Sequence, residues 1–326
     1  MEWMQGKGIG GGVVTVGLLL MVGCASEPQA PGSEAVAEAR APIDASAAAA
    51  GKRFAVTVED EGGLRTRIFD GLGSQLVGYE TLVVPAKSGM WRWEESVREV
   101  TQTDCGCMMD KLNETPGTTD TSGCEVSKEV IAGRLINDAT GQAWEPEEST
   151  MAPADADWEV TFTPVGAVGS TALVKICQMI YYCGAAHPNT ECRQAVVALD
   201  GESPQELAPR ELSPVVGAEH FEGQSFGLDE GVEVDPKRAA LVALTPTWDP
   251  EARELRAEQQ YAFEACYACS DGEWSAYSVS TFVSDRPFNE KAGVPALPRG
   301  LQDLLTTSSW QVRGLSAVPE SAGLKH

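Results

Sequence analysis

Eight cysteines lie between residues 105 and 269 of this 326-residue chain, and they are the first guide to its fold. They are Cys105, Cys107, Cys124, Cys177, Cys183, Cys192, Cys266 and Cys269. An even number of cysteines in an exported protein indicates a set of disulfide bonds. The pattern therefore predicts a cross-linked protein that has no free cysteine to serve as a nucleophile.

The spacing of these cysteines suggests two of the bonds. Cys183 and Cys192 bracket a short polar segment, so we expect them to face each other and to close a hairpin loop around His187. Cys105 and Cys107 are separated by one residue, which is a poor geometry for a mutual bond. One of these two is therefore predicted to bond to Cys124.

The N-terminus predicts export. Lys7 precedes an apolar run from Ile9 to Val22, which is shorter than the roughly 20 residues that a membrane-spanning helix needs. Residues 1–23 are therefore interpreted as a signal peptide, and the run "LMVGC" resembles a bacterial lipobox whose cysteine, Cys24, receives lipid such as palmitate. An ordinary secretory signal that is cleaved a little later is the alternative. Ala25 follows, which favours a lipid-anchored envelope protein in the outer rather than the inner membrane.

Residues 24–52 contain no aromatic residue and are rich in Ala, Pro, Ser and Glu, so they are predicted to be a disordered tether. From Arg53 onward, apolar and alternating segments bounded by Gly, Pro and Asp predict mainly strands. The segments "WEESVREV" and "LPRGLQDLL" are predicted to be helices. The predicted class is α+β, with a mainly antiparallel sheet and a few helices.

Two domain arrangements follow from the second half of the chain. Residues 53–235 are predicted to form an α+β domain, and residues 236–326 a β-rich C-terminal part that is either separate or belongs to the same domain. Leu255 and Tyr261 have the spacing of a tyrosine corner, which suggests an immunoglobulin-like sandwich in that part.

The formal charge of −24 argues against nucleic acid as a partner, because such a surface does not neutralise phosphates. The acidity is concentrated between Asp138 and Glu159, where two tryptophans intervene. One reading is a solvated loop, and the other is a docking surface for a cationic partner. The candidate binding residues there are Trp144, Trp158, Glu147, Glu148, Asp155 and Asp157.

Catalytic motifs are missing from the sequence. It has no Gly-x-Ser-x-Gly elbow, no phosphate-binding glycine loop and no closely spaced pair of histidines. We therefore expect a protein that is not an enzyme and has no cofactor. The segments "CGCMM" and "CYAC" carry sulfur ligands suited to copper or zinc, but such a site needs reduced thiols outside the cytoplasm.

A resemblance begins at "ALVKICQMIYYCGAAHPN", which is followed by "VALDGESPQELAPREL". These segments resemble an extracytoplasmic domain family found in lysozyme-sensing anti-sigma factors and beside some peptidoglycan deacetylases. The Gly-Gly-Ala-His turn of that family matches residues 184–187, with Ala185 in place of the second glycine. The resemblance covers about 40 residues, from Ala172 to Leu212, and it draws attention to His187 as a binding residue or a turn histidine.

Together these features predict a cell-envelope lipoprotein that acts as a non-catalytic binding module. The resemblance and the acidity point to lysozyme-like cationic proteins or a cell-wall polymer as ligands. A structural envelope lipoprotein with an immunoglobulin-like interaction domain is one alternative. An extracytoplasmic copper or zinc binding protein is the other.

Overall fold

The structure is a computed structural model that describes residues 51–116, 122–149, 156–224 and 235–323. The described strands are β1 (Arg53–Asp60), β2 (Gly63–Asp70), β3 (Gln75–Tyr79), β4 (Val83–Ala86), β5 (Gly89–Thr103), β6 (Glu125–Asn137), β7 (Ala143–Trp144), β8 (Ala156–Val168), β9 (Thr171–Tyr182), β10 (Asn189–Ala198), β11 (Gln205–Leu207), β12 (Ala240–Asp249), β13 (Glu254–Glu264), β14 (Ser278–Pro287) and β15 (Gln311–Val318). The α-helices are α1 (Cys105–Glu114) and α2 (Arg299–Thr307). Short 3-10 helices cover Glu147–Ser149, Pro209–Glu211, Ala218–His220, Pro236–Arg238, Tyr267–Cys269, Glu290–Ala292 and Glu320–Ala322. The predicted signal peptide, Cys24, the tether up to residue 50 and Asp155 lie outside the described residues.

An eight-stranded sheet forms the centre of the fold, in the order β11-β10-β9-β8-β15-β1-β2-β3. Neighbouring strands are antiparallel except β15 and β8, which run parallel over a short stretch at Leu315 and Val168. Strand β15, near the end of the chain, pairs with β1, so that Phe54 lies opposite Ala317. The first and last described strands therefore belong to one sheet.

Two smaller sheets cover opposite faces of the central sheet. On one face, the four-stranded sheet β4-β5-β6-β7 contributes Trp91 and Trp93 to a core that includes Trp158 and Ile176. On the other face, α2 and the three-stranded sheet β12-β13-β14 pack around residues such as Leu173. Consecutive residues of a strand point to opposite faces, which explains why β9 serves both cores.

The predicted α+β class with a mainly antiparallel sheet is confirmed. The leucine-rich segment near the C-terminus is helical, and Leu301 and Leu305 lie on its buried face. The helix predicted for "WEESVREV" is wrong, because this segment is the middle of the 15-residue strand β5. Its exposure alternates with a period of two, and Val97 lies directly opposite Ile131 of β6. The thirteen residue pairs that β5 forms with β6 favour the strand more than the helical spacing of a few apolar residues favours a helix.

The suggested immunoglobulin-like sandwich is also wrong. Strands β12, β13 and β14 form one antiparallel sheet of three strands, and it packs on the central sheet instead of on a second sheet of its own. The hydroxyl of Tyr261 accepts a hydrogen bond from the N–H of Val216 at 2.8 Å and donates to Gln259 at 2.9 Å. This tyrosine therefore ties the sheet to the segment that precedes it.

Within the described residues, no helix is long and apolar enough to cross a bilayer.

Candidate functional site

All eight cysteines of the folded part are paired, and three of the four bonds surround the tip of the β9-β10 hairpin. The bonds are Cys105–Cys183, Cys107–Cys124, Cys177–Cys192 and Cys266–Cys269. The prediction that one of the first two cysteines reaches Cys124 is confirmed, since Cys107 does so. A thiolate site for copper or zinc has no ligands here because these sulfurs are bonded to each other.

The predicted bond between Cys183 and Cys192 is wrong, and the strand register gives the reason. Cys192 lies directly opposite Cys177 in the hairpin, at a Cα–Cα distance of 4.0 Å. The N–H of Cys192 points away from β9 and donates to the carbonyl of Trp274 at 2.7 Å. The two cysteines thus occupy a non-hydrogen-bonded pair, where facing side chains are closest. Cys183 lies beyond the last hairpin pair, in the turn, and bonds to helix α1.

Helix α1 braces the hairpin tip. Asp104 caps its N-terminus by accepting a hydrogen bond from the N–H of Cys107 at 3.1 Å. Cys105 holds the turn at Cys183, while Cys107 holds the start of β6 at Cys124. The two sulfurs of "CGC" therefore attach one short helix to two different parts of the fold.

The turn at the hairpin tip presents His187 to a pair of tyrosines. The imidazole ring stacks on the ring of Tyr267, with 3.7 Å between the centroids, and Tyr277 lies edge-on at 6.4 Å. Gly184 adopts a φ of 86°, a conformation that residues with a Cβ avoid, and this allows the sharp turn. The hydroxyl of Tyr181 donates to the carbonyl of Ala185 at 2.9 Å and holds the turn closed. We call His187, Tyr267 and Tyr277 the aromatic platform.

The platform joins two segments that are distant in the sequence. Strand β10 forms a bridge between Glu191 and Ser275, and the N–H of Ala276 donates to the carbonyl of Thr190 at 2.9 Å. Tyr267 begins a single 3-10 turn that is closed by Cys266–Cys269. The rings are thus held by disulfides and backbone hydrogen bonds, yet Tyr267 and Tyr277 remain 43% and 48% exposed.

The two tryptophans of the acidic stretch are not at the surface. Trp144 is 8% exposed and Trp158 is 1% exposed, and both belong to the core beneath the four-stranded sheet. The prediction that they anchor a partner is therefore wrong. Trp158 lies in strand β8, in which the even-numbered side chains between 156 and 162 face inward. The short strand β7 places Trp144 opposite Leu135 of β6.

The acidic residues of the same stretch are largely engaged within the protein. Glu148 is buried and receives two hydrogen bonds from Arg193, at 2.6 and 2.9 Å. Burial alone would raise the pKa of Glu148, but the hydrogen bonds from Arg193 hold this pKa below its usual value. Asp157 forms an ion pair with Lys128 at 3.3 Å, and the side chain of Glu147 is exposed. The predicted docking surface is therefore reduced to a few exposed carboxylates.

Sequence reasoning selected His187 but missed both tyrosines beside it. The available signal was the segment "CYAC", in which an aromatic residue lies between two cysteines that bond to each other.

Among the described residues, no group of three or more His, Cys, Asp and Glu side chains is arranged to hold a metal ion. Comparison of the chain with protein-family models, with curated proteins and with solved structures finds no match in any of the three.

Proposed function

We propose that the protein is a lipid-anchored, non-catalytic binding module of the bacterial cell envelope that holds a cationic protein, such as a lysozyme-like wall hydrolase, on its aromatic platform. The observation that carries this proposal is the exposure of Tyr267 and Tyr277 beside His187 on a braced frame. Tyrosine is enriched among the residues that dominate binding energy at protein interfaces.

The bracing supports a binding role because it lowers the entropic cost of association. A side chain that is already ordered loses less freedom when a partner docks. The hairpin tip is held by Cys105–Cys183, and the segment that carries Tyr267 is held by Cys266–Cys269. A surface whose only task was to be soluble would not need two exposed tyrosines fixed in this way.

The charge of the chain supports a cationic partner. A formal charge of −24 attracts basic proteins over a distance and raises the rate of encounter. Once docked, a lysine or arginine side chain of the partner can lie over a tyrosine ring, an interaction of about 0.5–1 kcal/mol at an exposed site. The platform would therefore supply the close contacts, and the overall acidity the steering. The predicted lipid at Cys24 would keep the captured partner near the membrane.

The test is binding of a cationic lysozyme to the full chain in detergent, measured by calorimetry at low and at high salt. Replacing both Tyr267 and Tyr277 with alanine should weaken binding roughly tenfold, which corresponds to about 1.4 kcal/mol. Phe282→Ala is the matched control, because Phe282 is an exposed ring on β14 and does not belong to the platform. Affinity should fall as salt screens the charges.

The same experiment separates the alternatives. Binding of wall-polymer fragments that is insensitive to salt, with no binding of lysozyme, would assign the platform to a sugar ligand and contradict the proposal. No binding of either ligand would leave a structural envelope lipoprotein as the better reading.

A further inference from the structure

Strand β8 has a free edge over its first half. Among the described residues, its only neighbour on that side is β15, which pairs with it only near Leu315. At this edge the backbone groups of Trp158 are bonded to side chains. The N–H of Trp158 donates to the side chain of Gln102 at 3.1 Å, and the carbonyl of Trp158 accepts from Lys128 at 3.3 Å. Backbone groups of every second residue point the same way in an antiparallel pair. The N–H and C=O groups of Val160 and Phe162 therefore point outward at this edge.

As far as the described residues go, strand β6 leaves a second free edge nearby. The N–H of Asn137 donates to Gln142 at 2.8 Å, away from β5, and the register with β5 is uninterrupted. By the same alternation, the backbone groups of Ile131 and Glu129 also point away from β5. Strand β7 covers this edge only at Leu135 and Ile136.

The two edges border one groove of about 310 Å³, lined by residues 128–131 of β6, residues 159–162 of β8 and Glu95 of β5. We call it the strand slot. Unpaired strand edges bind extended peptides readily, because the peptide backbone satisfies the donors and acceptors that the edge leaves open. The slot thus combines open backbone groups with a defined groove.

The charges at the slot indicate what kind of peptide fits. Glu95, Glu129 and Glu159 are exposed at its rim, and none of them forms an ion pair with another described residue. The one lysine at the rim, Lys128, is already paired with Asp157 at 3.3 Å. A segment with basic side chains at alternating positions would place its charges opposite these carboxylates.

We propose that the strand slot binds an extended basic segment of a partner protein, which adds to the edge of β8 as an extra strand. This site is separate from the aromatic platform. It nevertheless lies toward the same end of the central sheet, because Trp158 of β8 is paired with Ile180 of β9, close to the hairpin tip. One basic partner can therefore reach both sites.

The experiment uses the full chain in detergent and a synthetic octapeptide of alternating lysine and valine. Fluorescence anisotropy measures affinity, and hydrogen exchange measures protection of the Val160 and Phe162 amides. We expect the peptide to slow exchange at both amides. A peptide that is N-methylated at alternate residues, and one with glutamate in place of lysine, should both fail to bind.

The matched variants test the charges. Changing Glu95, Glu129 and Glu159 to glutamine should weaken peptide binding roughly 20- to 30-fold, or about threefold for each charge. A control with the same change in charge replaces the exposed residues Glu61, Glu202 and Glu251 and should alter affinity less than twofold. The Tyr267→Ala/Tyr277→Ala variant should bind the octapeptide as the native chain does, which separates this proposal from the platform's function.

Several results would overturn the proposal. These are an absence of peptide binding, equal losses in the two triple variants, or binding without slowed exchange at Val160 and Phe162. Protection of these amides in the full chain before peptide is added would assign the edge to another segment of this chain, which would also overturn it.

Discussion

Removing the disulfides one at a time should destabilise the protein by an amount that rises with the logarithm of the length of the loop that each bond closes. The sequence separations are 78 residues for Cys105–Cys183, 15 for Cys177–Cys192 and 3 for Cys266–Cys269. The chain-entropy relation gives losses of about 4.5, 3.0 and 1.6 kcal/mol for these loops at 25 °C. The Cys107–Cys124 bond shortens the longest loop in the unfolded chain, and this lowers the first value only to about 4.3 kcal/mol.

The assay is urea unfolding of three double-alanine variants, followed by tryptophan fluorescence. The free energies of unfolding should be compared, and not the midpoints alone, because a less constrained unfolded chain exposes more surface and has a steeper dependence on urea. The loss of stability should be largest for Cys105→Ala/Cys183→Ala and smallest for Cys266→Ala/Cys269→Ala. Equal losses, or the reverse order, would refute the argument that loop closure governs stability here.

Four further predictions concern the acidic stretch, the arginine that pairs with it and the N-terminus. Trp158→Ala should cost about 3–5 kcal/mol of stability in urea, because it empties a buried site, whereas a folded Trp144→Ala variant should bind lysozyme as tightly as the native chain. Arg193→Gln should be less stable than the native protein at neutral pH. The difference in stability between the two proteins should narrow as the pH falls below 4.5 and through the lowered pKa of Glu148. Protonation of Glu148 then removes the stabilising charge from the native protein as well. Unfolding curves measured across an acid titration check this expectation. Fatty-acid labelling should be lost in Cys24→Ser, and label that persists would contradict lipidation at this residue.

The wrong helix prediction at "WEESVREV" shows what a local pattern can and cannot decide. Trp93, Val97 and Val100 have helical spacing, but the long pairing of β5 with β6 places Val97 on an exposed face opposite Ile131. Cross-strand pairing depends on a partner that lies 34 residues away in the chain. A window of eight residues contains no information about that partner.

The acidic stretch gives a second case. Its composition was compatible with a solvated loop or with a docking surface that has exposed aromatic anchors, but Trp158 alternates inward along β8 and Glu148 is paired with Arg193 of β10. The number of charges can be counted from the sequence, whereas the partner of each charge depends on which strands lie side by side. The exposed aromatic residues lie instead at Tyr267 and Tyr277, beside a histidine that the sequence had already indicated.

The α+β class, most of the strands, the C-terminal helix and the presence of disulfides could be predicted from the sequence, because these depend on local periodicity and on the number of cysteines. The disulfide pairing, the burial of the tryptophans, the aromatic platform and the strand slot became visible only in the folded chain. Cys192 could pair with any cysteine within reach, and the register of β9 and β10 selects Cys177 by placing it directly opposite. Such choices depend on distances between residues that are far apart in the chain, and those distances exist only once the sheets have assembled.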